Sequence, residues 1–219
     1  MPVTGLRGRQ VLDGDITRAD INTSTSGSAL ITKIIAGTNI TAGTVITALG
    51  SGTGGAGTYT ISPASTGTVS GTITIVGAEF RNIPSGVERI TVMFNGFSTS
   101  GTSNIIVQLG AGSIEATSYS GSATSTSGTA ATSSSLLNST GFLLAFDTSN
   151  TVVRSGIMTI VLLASNTWVS ATTIARTDAA GSSYGAGSKT LSGTLDRVRV
   201  TTVNGTDTFD AGSINILFE

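Results

Sequence analysis

Residues 194–219 read TLDRVRVTTVNGTDTFDAGSINILFE. Two alternating apolar runs flank a turn signal. Val198, Val200 and Val203 are expected to face one way before the turn. Asn204-Gly205-Thr206-Asp207 has the Gly and Asn/Asp chemistry of a tight bend. After it, Ile214, Ile216 and Phe218 alternate with Ser213, Asn215 and Leu217, as in a strand with one buried face. Chain ends fray unless an element ties them down. The reading is a last strand that is an integral member of a sheet. Leu217 points to the opposite face from Ile216, so a cover on that side is expected from a neighbouring subunit.

Working outward, the same pattern recurs. Ile90, Val92 and Phe94 alternate after a turn at Pro84-Ser85-Gly86, and Ile105, Val107 and Leu109 form a second strand. GFLLAFD (141–147) is another, and RSGIMTIVLLASNTWVSATTIAR (154–176) reads as two long strands around a turn at Ser165-Asn166. Residues 114–139 are a Ser/Thr-rich segment around one short strand, and AGSSYGAGSKTLSG (180–193) reads as a loop. About eight strands from residue 79 onward, separated by glycine-rich turns, are the signature of a double-sheet sandwich, of which the jelly roll is one form.

Upstream, residues 36–78 change character. GTNITA (37–42) and GTVITA (43–48) repeat at a six-residue interval, but β-solenoids need at least about three repeats. Short antiparallel strands at TVITAL (44–49) and TYTIS (58–62), around a GSGTGGAG loop, are the preferred reading. That loop lacks the Lys-Ser/Thr of a phosphate-binding loop and a helix to follow. Residues 1–35 hold many of the charges and read as an arm. The expected organisation is all-β: an extended N-terminal arm (1–35), a small Gly/Thr-rich β module (36–78) and a β-sandwich, jelly-roll-like head (79–219).

Composition narrows function. Charged residues are 11% of 219, against about 25% in ordinary domains. The net charge of −1 and the lack of a basic run argue against nucleic acid as a partner. No stretch approaches the roughly 18 apolar residues of a membrane helix, and MPVTGLRGRQVLDGD lacks the apolar core of a secretory signal. The sequence has no histidine and no cysteine, which removes Ser-His-Asp and Cys-His catalysis and the common zinc sites. Asp13, Asp15 and Asp20 lack the spacing of a calcium loop. Asp207 and Asp210 have no aromatic platform to make them a glycosidase pair, and turn capping is preferred for them. Glu88-Arg89 and Asp196-Arg197 read as solvent-face or subunit-contact charges. No catalytic residue, metal site or cofactor is expected. Trp168 reads as core or, if exposed, as a stacking platform for a sugar. Tyr119 and Tyr184 sit in Gly/Ser-rich segments where binding residues concentrate.

Residues 83–110 (IPSGVERITVMFNGFSTSGTSNIIVQLG) and 191–219 (LSGTLDRVRVTTVNGTDTFDAGSINILFE) resemble a C-terminal domain recurrent in tailed-bacteriophage virion proteins of the tail-fibre type. Residues 11–40 resemble the N-terminal part of such proteins, and residues 43–65 a short β module scattered through phage structural proteins. The resemblance implies a non-enzymatic virion surface protein, made in the host cytoplasm without a signal peptide and assembled as a homotrimer. It implies a short tail-associated fibre binding a host surface glycan or protein, with Tyr119, Trp168 and Tyr184 as receptor-contact candidates. The chain lacks the long shaft of many fibres. That leaves a second reading, a capsid decoration or cement protein or head fibre. Arg7, Arg9, Arg18 and Lys33 are the candidates for anchoring to the tail or major capsid protein. No motif of a polysaccharide-degrading spike is recognisable.

Overall fold

In the computed structural model the described residues are 33–41, 43–49, 59–67, 74–127, 132–145 and 149–219. Arg7, Arg9 and Arg18 lie outside them, as does the side chain of Lys33 and most of the expected arm. Fifteen strands and no helix occur among the described residues. They are β1 (Lys33–Ala36), β2 (Val45–Leu49), β3 (Tyr59–Ser62), β4 (Thr74–Arg81), β5 (Arg89–Thr99), β6 (Ile105–Ala111), β7 (Ser113–Ile114) and β8 (Ser120–Ser127). They continue as β9 (Thr132–Leu137), β10 (Phe142–Ala145), β11 (Arg154–Ala164), β12 (Thr167–Arg176), β13 (Gly181–Thr190), β14 (Arg197–Thr202) and β15 (Phe209–Phe218).

Two antiparallel sheets face each other. One runs β15-β5-β11-β12-β13-β8-β9; the other runs β10-β6-β14-β4-β1-β2-β3, with β7 added on β6. The chain crosses repeatedly between sheets, and β14 returns to lie between β4 and β6. The four strands β4-β14-β6-β10 facing β5-β11-β8-β9 have the connectivity of a jelly roll, with the β12-β13 hairpin inserted in the second sheet. The fold is thus the all-β sandwich that the alternating runs predict.

Residues 194–219 show why alternation dictates burial. Val198 and Val200 enter the core from β14, while Ile214, Ile216 and Phe218 enter it from β15 in the opposite sheet. The Asn204-Gly205 bend therefore carries the chain from one sheet to the other. Asn204 Oδ1 accepts Thr206 N at 3.0 Å and Asp207 N at 3.3 Å, which fixes the turn. Val203, expected on the buried side, is exposed because it belongs to this bend. In the core, Phe97 sits between Phe94 and Phe209, with ring centroids 5.7 and 4.9 Å away. Where β15 meets β5 the register slips twice, and two glycines with positive φ, Gly96 and Gly212, face each other. A β-carbon on Gly212 would run into the Gly96 carbonyl, so position 212 admits no side chain, while Gly96 is held to glycine by its positive φ.

The module strands β2 and β3 pair antiparallel, as their alternation predicts. The expected boundaries at 35/36 and 78/79 fall inside β1 and β4. These strands pair with each other, so sheet hydrogen bonding runs from the module into the sandwich. Ile35 and Ile46, with Ile40, Tyr59 and Ile61, form a small cluster separate from the main core.

Two further expectations fail. The loop expected at 180–193 is mostly β13, paired along its length with β8. The segment 114–139 contains the hairpin β8–β9 and the end of β7, so the head has more than eight strands. The reason is crowding. A β-carbon on Gly185 would lie 3.1 Å from Ala123 Cβ, and one on Gly187 would lie 2.9 Å from Ser120 O. Small residues there let β8, β10 and β13 approach closely, so they mark a tightly packed sheet where turn chemistry suggests a loop.

Candidate interaction surfaces

The outer face of the seven-stranded sheet is built by register. One row crosses every strand: Leu217, Thr91, Thr159, Ala171, Ala186, Ser122 and Leu137. Two residues along, the next row is Asn215, Met93, Ile157, Thr173, Tyr184, Thr124 and Ser135. Neither row contains a charge. A third, shorter row runs Arg89, Val161, Val169, Ser188 and Ser120. Its one charge, Arg89, pairs with Glu219 at 3.4 Å at the corner of the sheet. Apolar side chains stand open on this face: Ile157 is 47% exposed, Leu163 68% and Leu137 81%. Leu217 is half-buried there.

The three aromatic candidates separate. Tyr184 lies on this outer face, 53% exposed, on β13 rather than in a loop. Tyr119 is a correction to a receptor-contact role, and Trp168 takes the core side of its two readings: both are buried, at 5% and 2% exposure. Tyr119 precedes β8 and packs edge-on against Phe142 at 5.0 Å. Its Oη accepts the Leu109 amide at 2.6 Å. Burial raises its pKa, against the pull of that hydrogen bond. Trp168 points inward from β12, and its Nε1 has no hydrogen-bond partner among the described residues. Alternation explains it, since Trp168, Ser170, Thr172 and Ile174 share the inner face.

Beside Tyr119 lies a polar group that sequence reading missed. Lys189, 5% exposed, meets Glu115 at 2.7 Å and stands 5.5 Å over the Tyr119 ring. Glu115 also accepts Ser192 N at 2.8 Å and Ser192 Oγ at 2.7 Å. Desolvation acts upward on Glu115, but Lys189 and Ser192 together outweigh it and hold the carboxyl below its ordinary value. The hint in the sequence is a lysine in step with Ser183, another inward residue of β13.

Asp207 and Asp210 tie the end of the chain to β5 and the loop that follows it. Asp207 accepts Ser103 N at 2.9 Å and Asn204 Nδ2 at 2.6 Å, and Asp210 accepts the Ser98 hydroxyl. Gly101 lies against the Asp207 carboxyl, where a β-carbon would intrude to 2.2 Å. Among the described residues no three His, Cys, Asp or Glu side chains gather as a metal site.

On the outer face of the eight-stranded sheet the surface is charged. Glu79 on β4 is buried beside Arg81, Arg197 and Arg199. Asp196 and Arg197, expected as solvent or subunit charges, stand on this outer face and pair with each other at 2.7 Å, Asp196 37% exposed. The Arg197 hydrogen bond holds the Asp196 carboxyl below its ordinary value.

Fold and surfaces together define an all-β sandwich with one face whose two long rows carry no charge and one charged pocket. No protein-family model, no curated protein and no solved structure matches the chain.

Proposed function

We propose that this chain is a non-enzymatic structural protein of the surface of a tailed-phage virion: a short tail-associated fibre that assembles as a homotrimer and binds the host surface. The phage assignment is supported by the resemblance of residues 83–110 and 191–219 to virion proteins of that kind. The observation that carries the assembly reading is the pair of uncharged rows on the outer face of the seven-stranded sheet. Burying charges costs free energy unless they are matched. The two long rows of Thr, Ser, Ala, Ile and Leu have none to desolvate, the ion pair of Arg89 with Glu219 standing at the corner of the face, and such patches mark interaction sites. At ~4.8 Å per strand and three rows deep, its area is roughly 700 Å², near the ~800 Å² per partner of a standard interface. Leu217, whose outward face needs a cover, lies on it. Tyr184 stands in the second row of this face, so in the assembled protein it falls to the contact between copies rather than to the host.

Immunogold electron microscopy of intact particles, with antibody to residues 79–219, tests the reading. Label at the tail supports the fibre. Label over the head replaces it with a capsid decoration protein, and no label on any particle removes the virion assignment.

A further inference from the structure

The charged pocket has no part in that reading. Its centre is Glu79, 2% exposed. A buried carboxylate is costly unless cations and hydrogen bonds surround it. Arg81 Nε meets Glu79 Oε1 at 2.7 Å, and Arg197 Nη1 lies 3.8 Å from the same oxygen. Arg197 is itself gripped by Asp196, with Nε at 2.7 Å and Nη2 at 2.8 Å from its two carboxylate oxygens. These pairs leave a third guanidinium. Arg199, two residues along β14, donates Nε to Gln108 Oε1 at 2.7 Å. Gln108 is held in turn, donating to Thr140 O at 2.7 Å.

Arg199 therefore leans on a neutral amide. Its two terminal amino groups have no acceptor among the described residues, and those of Arg81 have none either. One side of Arg199 is closed by the turn between β1 and β2. A β-carbon on Gly43 would come within 2.9 Å of Arg199 Nη1. The group also opens on a pocket of about 590 Å³ that Arg81, Arg197, Ser62 and Ser113 help to line. Three guanidinium groups answer two carboxylates, which leaves one positive charge in excess among the described side chains. A half-buried cation with spare planar donors is the recognition element for carboxylate, sulfate and phosphate groups.

We infer that this pocket binds an oxyanion group of an anionic ligand, a carboxylate, sulfate or phosphate ester, with Arg199 and Arg81 as its donors. The site goes beyond the virion reading and does not depend on it. A free inorganic anion and an acidic sugar would present the same group, and the titration separates them.

The test is calorimetric titration of the full chain with sodium sulfate and with sodium glucuronate, at constant ionic strength so that screening is fixed. Saturable binding is expected, weakened about tenfold or more by Arg199→Gln, as the loss of charge-assisted hydrogen bonds requires. Ser113→Glu, which adds a carboxylate at the pocket wall and leaves the Glu79 pairs intact, should weaken it similarly. It keeps the test valid if Arg199→Gln misfolds. Equal affinity for both probes supports a site that reads the oxyanion alone, and tighter glucuronate supports a saccharide carrier. Failure of both probes to saturate a folded protein overturns the inference. So does binding that survives both substitutions.

Discussion

On the outer face of the seven-stranded sheet, the row from Leu217 to Leu137 crosses seven strands without a charge. On the outer face of the eight-stranded sheet, β4, β6 and β14 alone carry Glu79, Arg81, Gln108, Arg197 and Arg199. The inner faces do not differ in kind. Val92, Phe94 and Ile160 on one side meet Phe80, Val107 and Val200 on the other in a single core. Burial fixes the inner residues of both sheets, so these say little about function. The outer residues are released from the core, and there the sheets diverge. One exterior suits burial against another protein surface; the other is a charged cluster held together by its own ion pairs.

Breaking the charged face should cost most. Glu79→Gln removes the counterion of Arg81 and Arg197 within a buried cluster, and about 3–5 kcal/mol of stability should go with it. A urea midpoint unchanged in that variant would show that the cluster is not held by its ion pairs. Gly185→Val tests the strand that the two faces share least. The added methyls would press on Ala123 and the Leu143 carbonyl, already 3.1 and 3.2 Å from a β-carbon there. Overpacking of this kind costs about 1–3 kcal/mol, read from the same denaturation curves.

A smaller, pH-dependent effect belongs to Asp196. Its folded pKa is depressed from 3.8, first by the Arg197 hydrogen bond. A depressed carboxylate contributes stability that is present above its unfolded pKa and lost as pH falls through the folded one. Stability should therefore decline below about pH 4, and Asp196→Asn should flatten part of that decline. Thermal melts from pH 6 to pH 2.5 check it. An unchanged slope would mean that Arg197 gives Asp196 no net stability.

Strands with one buried face were legible because alternation of large apolar residues records which side is inside: β5, β11, β12, β14 and β15 follow it. β8 and β13 were not, because the record was erased on both faces. Gly121, Gly185 and Gly187 are required by close backbone approach, and in sequence they look like turn residues. The same erasure made Tyr119 look like a loop residue. Nor was the charged pocket legible. Glu79 and Arg197 are 118 positions apart in the chain, and only the pairing of β4 with β14 brings them together. The outward apolar residues were foreseen at Leu217 alone; Ile157 and Val161 sit inside a continuous apolar run, where the outer members cannot be told from the inner ones until the sheet is formed.

The gentlest substitution sharpens the comparison most. Ile157 stands between Met93 and Thr173 in the second uncharged row, 47% exposed. Changing it to lysine removes little core contact, so folding stability should shift by no more than about 0.5 kcal/mol. In a symmetric oligomer, however, each copy would bring its own ammonium to the same kind of contact, and each would have to be desolvated without a carboxylate in either long row to meet it. Sedimentation velocity should then show the wild-type chain associated and Ile157→Lys shifted toward monomer, with unchanged melting. The pocket variant Ser113→Glu, on the other sheet, should leave association intact. If Ile157→Lys associates like the wild type, the flat face is not where copies meet. A wild-type chain that stays monomeric at every concentration would exclude self-association through either sheet.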